Sequence, residues 1–535
     1  MRIPRRAAKP AALVALAGIL CAASVVRVGG EHPALKAFIA DQEKQMRPFR
    51  DSFVFWDRDC KTMKAVSDKQ VDILWSEAVC SASGLALWNE TWWRLTRESG
   101  TWATGMRADE ILLERRNTWP PTPAERDAFL ERIRGLESPK LTQHLLVRAT
   151  REHDRSLCSV ARRILREPVS DQGYAHARFL RIRAAEYLAV IGEREDAPEL
   201  MDLLDKLAPG GGTSREDILE VRILAQCLGI LRDPRAISRL KALLDSRDSG
   251  LAASAALALL QCGDEGALPL VRKCAVNVDA DFMKRIDCIE ELAKRGEPDD
   301  FALLKGLLAD GENFVRIAAA TALLDHDARE YATVCLPLLA DPNHVVRKRL
   351  TEKCAEKHVA AALPVLRLRL AKGNIGAIDV ETRKMFDFIG PSMGESIYQQ
   401  STGETAANEP AGKQVYEKAL LPGIEQKIAE DEERGIVLAL ASLGDVSVAV
   451  RAAAALSLAT RPDGAEFVRA FEGLGEAGLR QLKAMLKEKD WAKRYRAAVV
   501  LSKLKNVEAA AILQRHAEAE EDGDVLAVVG PVPGR

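Results

Sequence analysis

From about Arg181 onward, apolar residues recur three and four positions apart, in pairs of short segments separated by polar breaks. This spacing predicts amphipathic helices, because residues three, four and seven apart share one face of an α-helix. In one such unit, an apolar segment at 315–324 is followed by a break at 325–327 and a second segment at 331–339. The pattern therefore predicts pairs of helices that repeat along the chain.

Equivalent leucines give the length of the repeat. Leu228, Leu259, Leu292 and Leu323 occupy the same place in successive first helices, at intervals of 31, 33 and 31 residues. A helix pair of this size cannot bury its apolar faces alone, whereas stacking on neighbouring pairs buries them. We therefore predict an all-α protein built as an α-solenoid of paired antiparallel helices.

Several predicted first helices begin with a Val-Arg-x-x-Ala-type pattern and carry small alanines at helix contacts. The pattern occurs at Val221-Arg222, Val315-Arg316, Val346-Arg347 and Val450-Arg451. In this pattern, and in the Gly- and Asp-rich turns between helices, the chain resembles the short HEAT-like repeats first described in phycobilin lyases. The resemblance covers about residues 140–375 and 430–517 and implies a HEAT-like superhelix. It implies no single function, because these repeats serve lyases, scaffolds and a few enzymes alike.

The N-terminus differs from the repeats. Residues 1–30 combine a basic start, with Arg5 and Arg6, and an apolar stretch at 11–26. Such a stretch is short for a membrane span and typical of an export signal. Residues 1–30 are therefore interpreted as a signal peptide or N-terminal anchor that is cleaved, retained or lipidated on Cys21. We expect an exported protein of the periplasm or cell envelope, free or membrane-anchored.

Tryptophan is concentrated just after this segment. Seven of the eight tryptophans lie between Trp56 and Trp119. Residues 31–121 are predicted to form a Trp-rich helical cap domain, in which Trp88 and Trp92 would share one helix face. Trp88, Trp92 and Trp93 are candidate partner-binding residues, since large aromatics dominate many interfaces. The alternative is that these rings form the core of the cap or pack on the first repeat.

The remaining boundaries follow the repeat pattern and its interruptions. Residues 122–375 are assigned to a HEAT-like array and residues 430–520 to C-terminal HEAT-like repeats. Between them, residues 376–429 are polar and turn-prone, and form either an irregular insertion within the array or a joint between two arrays. Residues 521–535 are predicted to be a flexible tail.

Charge limits the classes of partner. With 77 basic and 78 acidic residues, the chain lacks the basic excess of a typical nucleic-acid-binding protein, so no nucleic acid is expected. The arginines that recur in the first helices either pair with carboxylates of neighbouring repeats or converge on an anionic partner. A denser basic stretch supplies three further candidate partner-binding residues, Arg162, Arg163 and Arg166.

Cysteine and histidine positions offer no catalytic or metal site. Most repeat cysteines lie in apolar stretches, where a thiol packs as a small hydrophobe. Cys60 and Cys80 lie outside the repeats and are the candidate disulfide of an exported protein. The chain has no CxxC, no HExxH and no Gly-rich phosphate loop, and no His-Glu pair of the kind that holds a di-iron centre in HEAT-like hydroxylases. No catalytic residue, cofactor or metal is therefore assigned.

These observations favour an exported, non-enzymatic scaffold whose solenoid binds a protein or peptide partner of unknown identity. Two alternatives stay open. In the first, the protein is an accessory subunit of an envelope complex, tethered to the membrane through an uncleaved N-terminal segment. In the second, it is a lyase-type enzyme on a HEAT scaffold, which would require a reactive, exposed cysteine.

Overall fold

The structure is a computed structural model that describes residues 26–27, 32–46, 53–81, 86–98, 101–103, 114–115, 139–166, 174–208, 217–372, 383, 416–459 and 461–529. The chain forms two compact units, residues 1–271 and 272–535. The first unit contains a small sheet and helical repeats, and the second contains helical repeats. None of the helices in the described ranges has the length and apolar character of a membrane span.

The tryptophan-rich segment is a β-sheet. Its strands are β1 (Val26–Arg27), β2 (Phe53–Ser67), β3 (Gln70–Ser81), β4 (Ala86–Glu98), β5 (Thr101–Ala103) and β6 (Glu114–Arg115). The strands lie in the order β1-β2-β3-β4-β5, and β6 also pairs with β4. The β1–β2 pair is parallel and the other pairs are antiparallel. The prediction of a helical cap is therefore wrong.

The sheet packs on a helix through alternate residues of β3. Val71, Ile73 and Trp75 are buried on the face that packs against α1 (Pro33–Met46), where Phe38 contacts the Trp75 ring edge-on at 5.2 Å between centroids. Residues two apart share a face of a strand, so these three side chains point towards α1 together. The residues between them, Asp72 and Leu74, are also buried, so β3 is covered on both faces. β-Branched and aromatic residues also favour strands over helices.

The spacing of Trp88 and Trp92 does not distinguish the two structures. Residues four apart lie on one face of a helix, but an even spacing also places them on one face of a strand. In β4, Trp88 pairs with Ala78 and Trp92 with Leu74 across the β3–β4 ladder. The prediction that Trp88 and Trp92 lie on a helix is wrong, because it did not take into account the β-forming residues on either side.

Helical repeats make up the rest of the first unit. The helices are α2 (Pro139–Glu152), α3 (Cys158–Arg166), α4 (Tyr174–Ile191), α5 (Ala197–Leu207), α6 (Ile218–Leu231), α7 (Ile237–Ala242) and α8 (Ser249–Gln261). Helix α9 (Leu268–Val276) begins in this unit and ends in the second. The first helices of successive repeats, α2, α4, α6 and α8, pack against one another in sequence order. The second helices α3, α5 and α7 each lie beside a first helix.

The second unit continues the same arrangement. Its helices are α10 (Phe282–Arg295), α11 (Pro298–Gly306), α12 (Asn313–Cys335), α13 (His344–Glu356), α14 (Leu363–Lys372), α15 (Leu421–Ser442), α16 (Ala449–Ser457), α17 (Ala465–Leu474), α18 (Glu476–Met485), α19 (Trp491–Lys503), α20 (Val507–Ala517) and α21 (Gly523–Val529). Helix α12 contains both helices of one repeat, because Asp327 interrupts it with non-helical backbone angles. The first helices α10, α12, α13, α15, α17 and α19 pack in sequence order.

Burial confirms the repeat length. Leu228, Leu259, Leu292 and Leu323 are each no more than 1% exposed. They occupy equivalent buried positions in α6, α8, α10 and α12. The prediction of an α-solenoid of paired helices is therefore confirmed.

Polar residues define where the helices begin. Asp248 accepts a hydrogen bond from the Leu251 N–H at 2.7 Å and caps α8. Before α13, Asn343 is the capping residue and accepts a hydrogen bond from the Val345 N–H at 2.9 Å. Asp341 binds an arginine of the preceding repeat.

The polar interruption does not separate two arrays. Residues 373–382 and 384–415 lie outside the described residues, but α13 and α14 on one side pack directly against α15 on the other. Arg347 of α13 donates to Glu432 of α15 at 2.8 Å, although the two residues are 85 positions apart. Residues 416–429 were predicted to be irregular but are helical. Tyr416–Leu420 form a short π-helix, and α15 begins at Leu421. The segment is therefore an insertion between two stacked repeats.

The C-terminal tail is partly ordered. Residues 523–529, predicted to be flexible, form helix α21, which packs on α19 and buries Val525 completely. Residues 530–535 lie outside the described residues. Helix α21 therefore covers the apolar face that the last repeat would otherwise expose.

Candidate functional site

The recurring arginines of the first helices bind carboxylates of the following element. Arg316 donates through Nε and Nη2 to the two carboxylate oxygens of Asp341, both at 2.9 Å. Its Nη1 donates to the carbonyl oxygens of Asp310 at 2.8 Å and Gly311 at 3.2 Å. The guanidinium therefore joins the turn before its own helix to the turn before the next first helix.

Two further arginines repeat this geometry. Arg347 donates to the carboxylate of Glu432 at 2.8 and 3.0 Å, and Arg494 donates to that of Glu520 at 2.8 and 2.9 Å. Each also donates through Nη1 to the two carbonyl oxygens five and six residues before it. We call this set of inter-repeat pairs the arginine ladder.

The other recurring arginines are also paired. Arg222 donates to Asp248 of the next repeat at 3.0 Å, while Arg183 pairs with Glu186 of its own helix at 2.6 Å. Arg451 pairs with a carboxylate of the preceding helix, that of Glu433. The interpretation as a ladder between repeats therefore holds for Arg222, Arg316 and Arg347. It does not hold for Arg183, or for Arg451, which lies on the second helix α16 rather than on a first helix.

The three candidate arginines of the basic stretch lie on α3. Arg162 donates to the carboxylate of Asp196 in the next repeat, and Arg166 pairs with Glu199. Burial alone would raise the pKa of Asp196, but hydrogen bonds from Arg162 and from the Glu193 N–H outweigh it and lower this pKa. Arg163 is exposed. Arg162 and Arg166 therefore join neighbouring repeats, although the Arg166 side chain is 65% exposed.

Two of the three candidate tryptophans, Trp92 and Trp93, are buried or half-buried in the sheet domain. Trp92 is 2% exposed, and Lys64 lies over its ring with Nζ 4.9 Å from the centroid. Trp93 is half-buried against Phe38, with 5.1 Å between ring centroids. The backbone of Trp88 lies in β4, and its side chain lies outside the described residues. Trp92 and Trp93 therefore stabilise the sheet domain, as the core alternative predicted.

The candidate disulfide is incompatible with the strand register. Cys60 is a free thiol that pairs across the β2–β3 ladder with Trp75, whereas Cys80 pairs with Phe55. Cys80 is thus five residues along the strand from the partner of Cys60, or about 16 Å at roughly 3.3 Å per residue. A disulfide requires Cα atoms within about 7 Å. The predicted Cys60–Cys80 bond is therefore wrong.

The described repeat cysteines are buried, except the half-buried Cys158. The pKa of Cys274 is lowered, first of all by its hydrogen bond with Cys288, whereas burial raises the pKa of several others. Burial raises the pKa of Cys262 and Cys335 to about 11 and that of Cys354 to about 12. Such thiols are protonated at neutral pH and are poor nucleophiles. Among the residues that the structure describes, no group of His, Cys, Asp and Glu is arranged to hold a metal ion.

A groove of about 560 Å³ lies between the first helices α10 and α12. Its apolar walls are formed by Ile286, Ala293, Phe314, Ile317, Ala318 and Ala322, and we call it the apolar groove. At its end, the ring of Phe314 stacks on that of Phe282 with 5.6 Å between centroids. Phe314 is 43% and Phe282 is 39% exposed, so both rings are available for contact.

Sequence reasoning missed the apolar groove. Its residues belong to the same apolar spacing that predicted the helices, so the sequence did not separate groove residues from core residues. Phe282 and Phe314 gave no separate signal, because other repeat helices also have an aromatic residue near their start, such as Phe467 and Trp491. The structure distinguishes them from buried equivalents such as Val315, which is fully buried.

Comparison with protein families agrees with this architecture. A family model described as HEAT repeats matches residues 240–325. A search of curated proteins finds no significant match to the chain. The chain is therefore an α-solenoid whose repeats at 240–325 are similar to HEAT repeats, a class that commonly mediates protein–protein interaction. The resemblance to the bilin-lyase type of repeat stays a prediction.

Proposed function

We propose that this protein is an exported, non-enzymatic scaffold that binds a protein or peptide partner through the first-helix surface of its C-terminal unit. The observation that carries the proposal is the apolar groove with its two exposed, stacked phenylalanines. Exposed aromatic side chains that border a groove supply much of the contact energy in protein interfaces.

The surroundings of the groove support the same role. Glu290, Lys294 and Asp325 stand among its lining residues, so charged groups accompany an apolar wall. Protein interfaces commonly place a polar rim around an apolar centre. An amphipathic helix or an extended segment with apolar residues at regular spacing would fit such a groove.

A substitution in the groove tests this proposal. Ala318→Arg places a long charged side chain in the groove, and Val507→Arg is the matched control, because Val507 is 90% exposed at the start of α20. Tagged protein is used to capture partners from envelope fractions, and captured proteins are quantified by mass spectrometry. We expect Ala318→Arg to lose a partner that Val507→Arg retains.

Two results would contradict the proposal. Wild-type protein that captures nothing above background would argue against a scaffold, and equal capture by both variants would argue against this groove. Thermal unfolding followed by circular dichroism checks that Ala318→Arg is folded.

Export is part of the proposal and is supported by the basic start and apolar stretch of residues 1–30. Cell fractionation with N-terminal sequencing tests it. A soluble mature form that begins near Glu31 would support a free scaffold, whereas a membrane-bound form with an intact N-terminus would support the tethered accessory subunit. Recovery in the cytosol with an intact N-terminus would refute export.

The lyase alternative receives less support. It needs a reactive thiol, and the described repeat cysteines are buried, apart from the half-buried Cys158. The Cys158 Sγ lies 3.6 Å from the Tyr187 hydroxyl. Rapid alkylation of a repeat cysteine in the native protein would favour a lyase over a scaffold.

A further inference from the structure

A second cavity, of about 520 Å³, lies among α13, α15 and α17 of the C-terminal unit. We call it the charged cavity. Like the apolar groove, it is lined by first helices. Its apolar wall includes Leu438 and Phe467, which are 7% and 5% exposed. The volume lies within the range of pockets that bind small ligands or a few side chains of a peptide.

Most carboxylates of the charged cavity already have partners. They pair with cations of their own helices: Asp431 with Arg434 at 2.8 Å, Glu352 with Arg349 at 3.2 Å and Glu356 with Lys353 at 3.0 Å. These pairs neutralise three of the four acidic side chains that line the cavity. The fourth, Glu466, is exposed.

Three cations of the charged cavity are left over. Lys348, Arg461 and Arg469 line it, and none of them forms a hydrogen bond or ion pair through its side chain with any residue that the structure describes. Against the single carboxylate of Glu466, these side chains give the cavity an excess of unpaired positive charge. This is unlike the ladder arginines, each of which has a carboxylate partner.

Arg469 is the most informative of the three. Its Nε is buried and has no hydrogen-bond acceptor among the described residues. Several other arginines also have a buried Nε without an acceptor, but Arg178 and Arg222 among them pair with carboxylates through Nη2, whereas Arg469 has no such pair among the described residues. A buried guanidinium without an acceptor is unfavourable. A ligand carboxylate would supply the acceptor, since the planar guanidinium matches a carboxylate through two parallel hydrogen bonds.

We propose that the charged cavity binds an acidic peptide segment of the partner. Carboxylates of the segment would contact Arg469, Arg461 and Lys348, and a neighbouring apolar side chain would pack on Leu438 and Phe467. This inference rests on the proposed function and adds the chemistry of the partner. It uses a cavity separate from the apolar groove.

The small number of unpaired cations favours a peptide over a nucleic acid. Three unpaired cations lie beside the unpaired carboxylate of Glu466, which would repel the closely spaced phosphates of a polyanion. One or two carboxylates can approach the three unpaired cations at shorter range. The mixed lining therefore selects a ligand of low charge density.

Fluorescence polarisation of the full-length protein tests the proposal. The probe is a labelled peptide in which two glutamates flank a leucine, and the control probe has glutamine in place of glutamate. Arg469→Gln removes the central cation, and Arg480→Gln is the matched control, because Arg480 is a 70% exposed arginine of α18 outside the cavity. We expect at least tenfold weaker binding for Arg469→Gln, no change for Arg480→Gln and no binding of the glutamine probe.

Each other outcome overturns the inference. Equal affinity for the glutamate and glutamine probes would show that carboxylates are not recognised. Equal loss of binding in Arg469→Gln and Arg480→Gln would indicate a diffuse charge effect. Stronger competition by single-stranded DNA than by unlabelled peptide would indicate a polyanion site. Ala318→Arg should bind the acidic probe normally. If Ala318→Arg loses partner capture but the wild-type protein does not bind the acidic probe, the proposed scaffold function is retained and only this inference is refuted. Unfolding curves for Arg469→Gln confirm that it is folded.

Discussion

Asp341 is the acceptor of one complete unit of the arginine ladder, and Asp341→Ala tests whether the ladder stabilises the stack. The substitution removes two hydrogen bonds of 2.9 Å from Arg316 and one of 2.8 Å from the Asn343 N–H. The side chains are 12% exposed for Arg316 and 5% exposed for Asp341, so the pair is largely shielded from water. Arg316 would keep only its two carbonyl acceptors.

The expected loss is considerable. Removing one partner of a buried ion pair costs about 3–5 kcal/mol, because the other charge stays buried. Water can reach part of Arg316, so we expect the lower end, about 3 kcal/mol in the free energy of unfolding. Arg349→Ala is the control on α13, because its pair with Glu352 is exposed on both sides, and we expect it to cost about 0.5 kcal/mol.

Urea unfolding followed by circular dichroism measures the global effect. Repeat arrays can unfold in parts, so hydrogen exchange of the α12 and α13 amides supplies a local measurement. The reasoning is refuted if Asp341→Ala costs no more than Arg349→Ala, or if exchange in α13 accelerates no more than in α20. The double variant Arg316→Met/Asp341→Leu should recover part of the loss, because it leaves no unpaired charge.

Three further predictions concern acid, the sheet and a close helix contact. Burial alone would raise the pKa of Glu520, but hydrogen bonds, first of all from Arg494, outweigh it and lower this pKa to about 2. Since this pKa is below the usual 4.5, the stabilisation by Glu520 is present above pH 4.5 and is lost as the pH falls towards 2. Hydrogen exchange should therefore show α21 detaching from α19 between pH 4.5 and 2. Glu520→Gln should remove this pH-dependent transition. Trp92→Ala should destabilise the sheet domain by about 3–5 kcal/mol in urea unfolding, and a loss below about 1 kcal/mol would contradict its core role. Gly473→Ala should lower the melting temperature, because its Cβ would lie 2.4 Å from the carbonyl oxygens of Ala441 and Ser442, whereas Gly423→Ala, which meets nothing within 4 Å, should not.

The repeats could be predicted because their information is local and periodic. Leu228, Leu259, Leu292 and Leu323 recur at nearly constant intervals, and each is buried at the equivalent place. A solenoid repeats one packing problem, so a pattern that is correct for one helix pair is correct for its neighbours. Pairing of the recurring arginines with carboxylates was likewise one of the two interpretations, the other being convergence on an anionic partner.

The sheet, the absent disulfide and the insertion depend on contacts between distant residues. Trp88 and Trp92 have a spacing that fits both a helix and a strand, and the register with β3 decides between them. The same register separates Cys60 from Cys80. Arg347 and Glu432, 85 residues apart, show that the array continues across the insertion, and no local pattern contains that contact.

The sequence by itself determined the helical repeats, their length and the balance of charge, because these are properties of spacing and composition. Only the tertiary structure decided which charges are left without partners. Arg316 and Arg469 are both arginines of first helices, yet a carboxylate of the next repeat lies within 2.9 Å of Arg316 and none pairs with Arg469 among the described residues. Ion pairing depends on distance after folding, and that distance is what distinguishes the ladder from the charged cavity.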